Sequence, residues 1–305
     1  MEPVAEGSGQ SNPGARPGTL VPTVNRDQDD RVLLETRLLA GLIVPFLLAA
    51  FVILYFFPDR TKELFAWGIS PPMTSFSLAS AYIGGAYFFI RVIGAKRWHQ
   101  VTIGFPPVVA FAILMGIATA LHWDRFTSGH ISFVTWTTLY ATTPFLVLAV
   151  WLRNRPVDPR QPDSLEVTLA GPVRVGFAAI GSITLAVALL LFIQPAVMIG
   201  VWPWQLTPLT ARVLGGIFAL PSIADIGTAL DPRWSAARIT LQSQLVSLAF
   251  LIVATIRAWP LFNPGNPATW VFVLGLGSLF VVLIVVHLWT DRRSPAPARL
   301  THSNA

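Results

Sequence analysis

The chain is predicted to be an all-α, polytopic integral membrane protein of about eight transmembrane helices in two parallel four-helix repeats. Three observations carry that expectation. Of 305 residues, 53% are hydrophobic and only 12% charged, with mean hydropathy +0.61, a balance too apolar for a soluble domain. The apolar residues gather into eight stretches, each near the ~20 residues that cross a ~30 Å hydrocarbon layer. Residues Pro72 to Phe126 also align without a gap on Pro208 to Phe262, at a constant shift of 136.

Residues 1–34 are rich in Gly, Pro, Ser and acidic side chains. They offer too little apolar surface to offset chain entropy and read as a disordered cytoplasmic tail. Glu2 and Glu6 stand where a cleaved signal peptide has its positive region, so insertion is assigned to the first span itself. The first repeat, 35–152, is expected to hold spans Leu38 to Pro58, Ser75 to Gly94, Val101 to Trp123 and Ile131 to Leu152. Residues 153–174, with Pro156, Pro159, Pro162 and Pro172 among several arginines, read as a cytoplasmic linker. The second repeat, 175–290, is expected to hold Val175 to Gly200, Leu209 to Leu230, Ile239 to Trp259 and Ala268 to Thr290, and 291–305 a short cytoplasmic tail.

Apolar segments align with one another cheaply, so the duplication rests on which residues match. Eleven of 55 positions are identical, and they include Arg97-Trp98 with Arg233-Trp234, and Ala118, Thr119, Trp123 and Phe126 with Ala254, Thr255, Trp259 and Phe262. Tryptophan occurs 11 times in the chain, so two matched pairs outweigh many leucines. One residue of slip upstream brings Trp67, Ile69, Ser70 and Pro71 onto Trp204, Leu206, Thr207 and Pro208. Four spans per copy give both halves the same direction of insertion, related by a pseudo-twofold along the membrane normal. The competing explanation is that Trp belts make many bilayer proteins look alike.

The basic character does not point to nucleic acid. Of 21 Lys and Arg, 16 fall on one side of an alternating topology and only Arg60, Lys62, Arg125, Arg212 and Arg257 on the other. That is a positive-inside pattern, placing the protein in the cell membrane with both termini cytoplasmic. The preference for Arg over Lys and the wealth of Ala, Leu and Pro are compositional signs of a bacterial source. The chain has no cysteine, which excludes disulfides, thiolate metal sites and cysteine nucleophiles.

Asp225 is the one acidic residue inside an expected span, a position costly unless the carboxylate is paired, neutralised or hydrated. Arg91, then Arg97 or Arg233, are its expected partners. The functional reading makes Asp225 a proton or cation site, and the plainer one makes it half of an ion pair tying spans two and six together. Pro221, one turn earlier, cannot donate to Ile217 and frees that carbonyl for Ser222, a neighbouring helix or a solute. Gly84-Gly85 lies at the corresponding place in span two. Such interruptions at matched positions mark transporter sites, although small residues also serve close helix packing. Thr135, Thr138 and Thr142 share one face of span four and are candidates to line a polar path, or to satisfy their own backbone. Span three carries Pro106-Pro107 where span seven has Gln242, Ser243 and Gln244, broken backbone against amide side chains, which fits a water-filled inner vestibule or ordinary interfacial tolerance. His122, Asp124 and His130 flank an outward turn and are weak candidates for a metal, the second copy having Ala258, Pro260 and Asn266 instead.

No phosphate-binding glycine loop, nucleophile elbow, HExxH helix or dinucleotide fingerprint occurs, and no cofactor is implied. The expected partners are the lipid bilayer and a small-molecule solute. The leading reading is a small-solute carrier or channel. The alternatives are a non-catalytic scaffold or accessory subunit, and a membrane enzyme with an outward His/Asp site.

Overall fold

The computed structural model describes residues 30–162 and 166–293; the expected tails, except residues 30–34 and 291–293, lie outside the described residues. Ten α-helices are formed among them: α1 Leu34–Phe56, α2 Thr61–Leu64, α3 Pro72–Gly94, α4 Phe105–Leu121, α5 Ile131–Asn154, α6 Gly171–Ile193, α7 Pro195–Val201, α8 Pro208–Leu230, α9 Trp234–Arg257 and α10 Pro267–Asp291. Eight of these, all but the short α2 and α7, are long and apolar enough to cross a membrane.

Proline sets several boundaries. Pro72, Pro172, Pro208 and Pro267 stand at the first or second helical position, where a missing N–H is harmless. The fifth span is shorter than expected because Pro195 forces Gln194 out of helical geometry (φ −121°, ψ 58°), and Pro195–Val201 becomes the separate helix α7. Phe57 before Pro58 adopts nearly the same conformation (φ −127°, ψ 48°) and ends α1 likewise. Pro106 and Pro107 do not interrupt α4. They open it after two 3-10 turns, whereas α9 has no proline there and runs unbroken from Trp234.

α1 packs on α3 and α6 on α8; α3 then packs on α9 and α4 on α8, with α5 beside α4 and α10 beside α9. Exchanging the two sets of helices leaves this order of neighbours unchanged. The most apolar windows of α3 and α8 are 61% and 56% buried against 6% for α10, so the first two are central and the last peripheral. Val175, Ile183, Val271, Leu274 and Val281 are exposed along the outer helices, an apolar surface larger than water tolerates and suited to lipid.

Matching local contacts recur at the shifts seen in the sequence. At the end of the bundle that holds the start of α1 and the finish of α10, here the terminal end, Trp98 N donates to Asp30 O at 2.9 Å and Trp234 N to Val167 O at 3.0 Å. Isolated antiparallel bridges join Arg31 to Arg97 and Thr168 to Arg233. At the opposite end, Thr127 N donates to Ala66 O (3.0 Å) and Asn263 N to Pro203 O (3.3 Å). Around them Trp67 meets Phe126 at 5.0 Å and Trp204 meets Phe262 at 5.3 Å between ring centroids.

Candidate functional site

Asp225 lies three-quarters of the way along α8 and is 2% exposed. Its Oδ1 accepts a hydrogen bond of 2.9 Å from Nε2 of Gln244 on α9. Gly181 of α6 closes another side: a Cβ there would lie 2.9 Å from the Ser222 carbonyl oxygen and 3.1 Å from the Asp225 Cβ. Glycine at 181 is therefore what lets α6 approach the carboxylate.

The expected pairing of Asp225 with an arginine is not formed. Arg91 donates through Nη1 to the Tyr87 hydroxyl (2.6 Å) and to Gln242 Oε1 (2.7 Å), and Tyr87 donates to the same Gln242 oxygen at 2.8 Å. Gln242 and Gln244 are two residues apart on one helix, about 200° around its axis. One amide therefore faces α3 and Arg91, the other α8 and Asp225, so that α9 links the two groups rather than letting them meet. Arg233 is likewise engaged elsewhere, with Asp231 (2.6 Å) and Asp158 (2.7 Å).

Pro221 lies inside α8 without ending it. Ser222 does not take the Ile217 carbonyl that Pro221 leaves without its usual donor; its hydroxyl donates to Ala219 O at 3.0 Å. Gly84 lies against α9, where Ser243 Oγ donates to the Gly84 carbonyl at 2.8 Å, and an added Cβ would sit 2.9 Å from the Ser243 carbonyl oxygen and overlap Ser247. Gly85 faces Leu47 of α1 with ordinary room, 3.4 Å.

The hydroxyl face of α5 is turned away from this interior. Thr138 and Thr142 are exposed on the same side as Val134 and Phe145, Thr135 is half-buried, and the Thr142 hydroxyl donates to Thr138 O at 2.8 Å. A threonine bonded to its own helix can face lipid without an unmet polar group.

At the opposite end, His122 Nε2 is 2.7 Å from Arg212 Nη1, Asp124 pairs with Arg125 at 3.1 Å, and His130 Nδ1 contacts Ser132 Oγ. Burial, with the adjacent Arg212 charge, pushes the His122 imidazole below its ordinary pKa, only partly opposed by Asp124. A neutral imidazole accepting from a guanidinium has no lone pair left at Nε2 for a metal. Among the described residues no group of three or more His, Asp or Glu side chains converges as a metal site would require.

The terminal end holds a polar network that the linear sequence did not suggest. His99 is buried with its Nδ1 against Asp30 Oδ2, and its backbone N donates to Asp30 Oδ1 at 3.0 Å. Arg233, 3% exposed, joins Asp231 to Asp158 of the linker. Burial alone would raise the Asp158 pKa, but the Arg233 hydrogen bonds and charge, with a bond from the Arg160 backbone and the charge of His99, hold it below the carboxylate range. Burial works against the Arg233 charge, and the two carboxylates outweigh it and raise its pKa. Nothing in residue spacing marked these pairs, whose members are 69 and 75 residues apart.

The number, length and apolarity of the helices indicate a multi-pass membrane protein associated with a lipid bilayer. Comparison with family models, with curated proteins and with solved structures finds no match.

Proposed function

We propose that the chain is a small-solute carrier or channel of the cell membrane, built from two parallel four-helix halves with both termini in the cytoplasm, in which Asp225 is the proton- or cation-responsive group. The supporting observation is Asp225 itself. It is buried within an apolar helix, its hydrogen-bond donor is the neutral amide of Gln244, and no cation pairs with it among the described residues. A carboxylate so placed is stable only by taking up a proton or a cation, which makes it a functional position by default. Pro221 leaves α8 one backbone hydrogen bond short beside it, and Gln242, on α9 with Gln244, contacts Arg91. The positions that correspond to Asp225 and Gln244 are Phe89 and Val108, so the chemistry belongs to the second half alone.

The two-half architecture is supported by the paired contacts at matched shifts and by the exchangeable order of helix neighbours. Cytoplasmic termini are supported by the charge bias, since Arg37, Arg97, Arg153, Arg174, Arg238 and Arg292 all lie toward the terminal end.

The test uses the purified chain in vesicles holding a pH-sensitive dye, with Na+ or K+ gradients imposed. Cation-dependent proton flux is expected in the wild type and is lost in Asp225→Asn. Equal flux in the variant, or wild-type flux no greater than in empty vesicles, would remove the reading.

A second reading, a non-catalytic scaffold or accessory subunit, is favoured by the tight seat of Gly84 on Ser243 and Ser247 and by the outward face of Thr138 and Thr142. It requires a stable partner after mild detergent extraction, and purification of the chain as a lone species counts against it.

A further inference from the structure

At the terminal end, where α3 finishes beside α9, lies a cleft of ≈ 210 Å³. Arg91, Lys96 and Gln100 line it, with Ile90, Gly94, Ala95 and Ile239 completing its walls, and no carboxylate is among its lining residues. Among the described residues the Arg91 guanidinium is hydrogen-bonded to the Tyr87 hydroxyl and the Gln242 amide oxygen, and to no carboxylate. Lys96 is exposed, and its ammonium has no partner among the described residues. The carbonyls that end α3 would ordinarily lend negative character to this place. Here Arg37 from α1 covers two of them, donating to Ile93 O at 3.0 Å and Ala95 O at 2.7 Å. The charged side chains that line the cleft are thus both cationic. Ile90 (49% exposed) and Ile93 (38%) continue from it along the outer surface of α3, so a polar basic recess is joined to an apolar strip at the depth where a spanning helix leaves the bilayer.

The corresponding place in the other half shows that the fold does not need these charges. Arg91, Lys96 and Gln100 correspond to Gly227, Pro232 and Ala236. There a Cβ on Gly227 would meet Ile103 at 3.0 Å, and Ile103 is the counterpart of Ile239. One half closes the gap between the helices with glycine; the other holds it open and lines it with cations.

We propose that this cleft binds the phosphate of an anionic phospholipid, with Arg91 and Lys96 as the charged contacts, Gln100 as an amide donor, and the acyl chains along Ile90 and Ile93. Basic recesses between membrane helices recognise lipid phosphate through such charge-assisted hydrogen bonds. A free phosphate ion offers the same headgroup chemistry without the chains.

The purified full chain in neutral detergent is titrated separately with phosphatidylglycerol, phosphatidylcholine and inorganic phosphate, following lipid retention by native mass spectrometry and thermal stability by unfolding temperature. Phosphatidylglycerol is expected to be retained and to raise the unfolding temperature, with phosphatidylcholine doing neither. Lys96→Gln is expected to weaken phosphatidylglycerol binding about fivefold, the effect of one cation at a membrane surface. Arg60→Gln, an exposed cation at the opposite end, should change nothing. Arg91→Gln should weaken binding at least as much as Lys96→Gln. Because Arg91 also holds Tyr87 and Gln242, a failure of that variant to fold leaves Lys96→Gln and Gln100→Leu to decide. Equal retention of phosphatidylcholine, full protection by inorganic phosphate alone, or equal losses in Lys96→Gln and Arg60→Gln would each overturn the assignment.

Discussion

Gln244 and Asp225 are 19 residues apart in sequence, on consecutive helices, yet the amide nitrogen of one lies 2.9 Å from a carboxylate oxygen of the other in the interior of the bundle. The bond gives one carboxylate oxygen a donor, and that donor carries no charge of its own.

Replacing Gln244 by Leu leaves Asp225 buried without its donor. A loss of about 1–3 kcal/mol is expected from the unmet acceptor, read as a lower unfolding temperature in detergent. Asp225→Leu placed on that background should recover much of the loss, because no buried polar atom is then stranded. No recovery would mean that the bond contributes little.

Arg233 holds Asp158 and Asp231 together with 4% of its side chain exposed. Its replacement by Met strands two carboxylates and is expected to destabilise the terminal end by on the order of 3 kcal/mol. Folding holds Asp158 below its ordinary pKa. The pair therefore stabilises fully above the ordinary carboxylate value of about 4, and that contribution disappears as pH falls through the lower folded-state value. Asp158→Asn should be less stable at neutral pH and should flatten the acid limb of a stability profile.

Gly84 and Gly85 are neighbours with opposite tolerances. Ala at 84 would place a Cβ 2.9 Å from the Ser243 carbonyl oxygen and into Ser247, whereas Ala at 85 meets Leu47 at 3.4 Å. Gly84→Ala is expected to lower stability by roughly 1–3 kcal/mol through separation of α3 from α9, and Gly85→Ala to be neutral or slightly stabilising. Equal unfolding temperatures for the two variants would contradict the packing.

At the opposite end the neutral His122 accepts from Arg212 at 2.7 Å, and its pKa is lowered in the folded state. The unfolded chain therefore binds a proton more readily than the folded one. The stabilisation is complete above an ordinary histidine value of about 6.5 and is lost as pH falls through the lower folded-state value. His122→Phe should remove that component of the pH profile, measured between pH 5 and 8.

Much of the helix pattern was legible because it depends on local quantities. Span number follows from apolar run length, and most of the expected spans fall on the observed helices to within a few residues. The largest departure, at α6 and α7, came from reading through Pro195, whose restriction of Gln194 is itself local and could have been used. The candidate site was legible only in part. Asp225 stood out as an acid in an apolar run, and Gln242 and Gln244 as amides in another. That one amide serves Asp225 and the other Arg91 depends on the rotation of α9 between α3 and α8, which no spacing within a single segment encodes.

By itself the sequence determined that eight apolar helices form, where proline and charge bound them, and that residues 72–126 and 208–262 share a pattern, since propensity and transfer free energy act along the chain. Only the tertiary structure decided that Asp225 meets an amide rather than an arginine, that Thr138 and Thr142 face outward, and that α3 ends at a basic cleft where α8 sets Gly227 against Ile103. Those outcomes depend on how rigid helices rotate and approach one another. A single glycine or glutamine settles such an approach through contacts with residues far away along the chain.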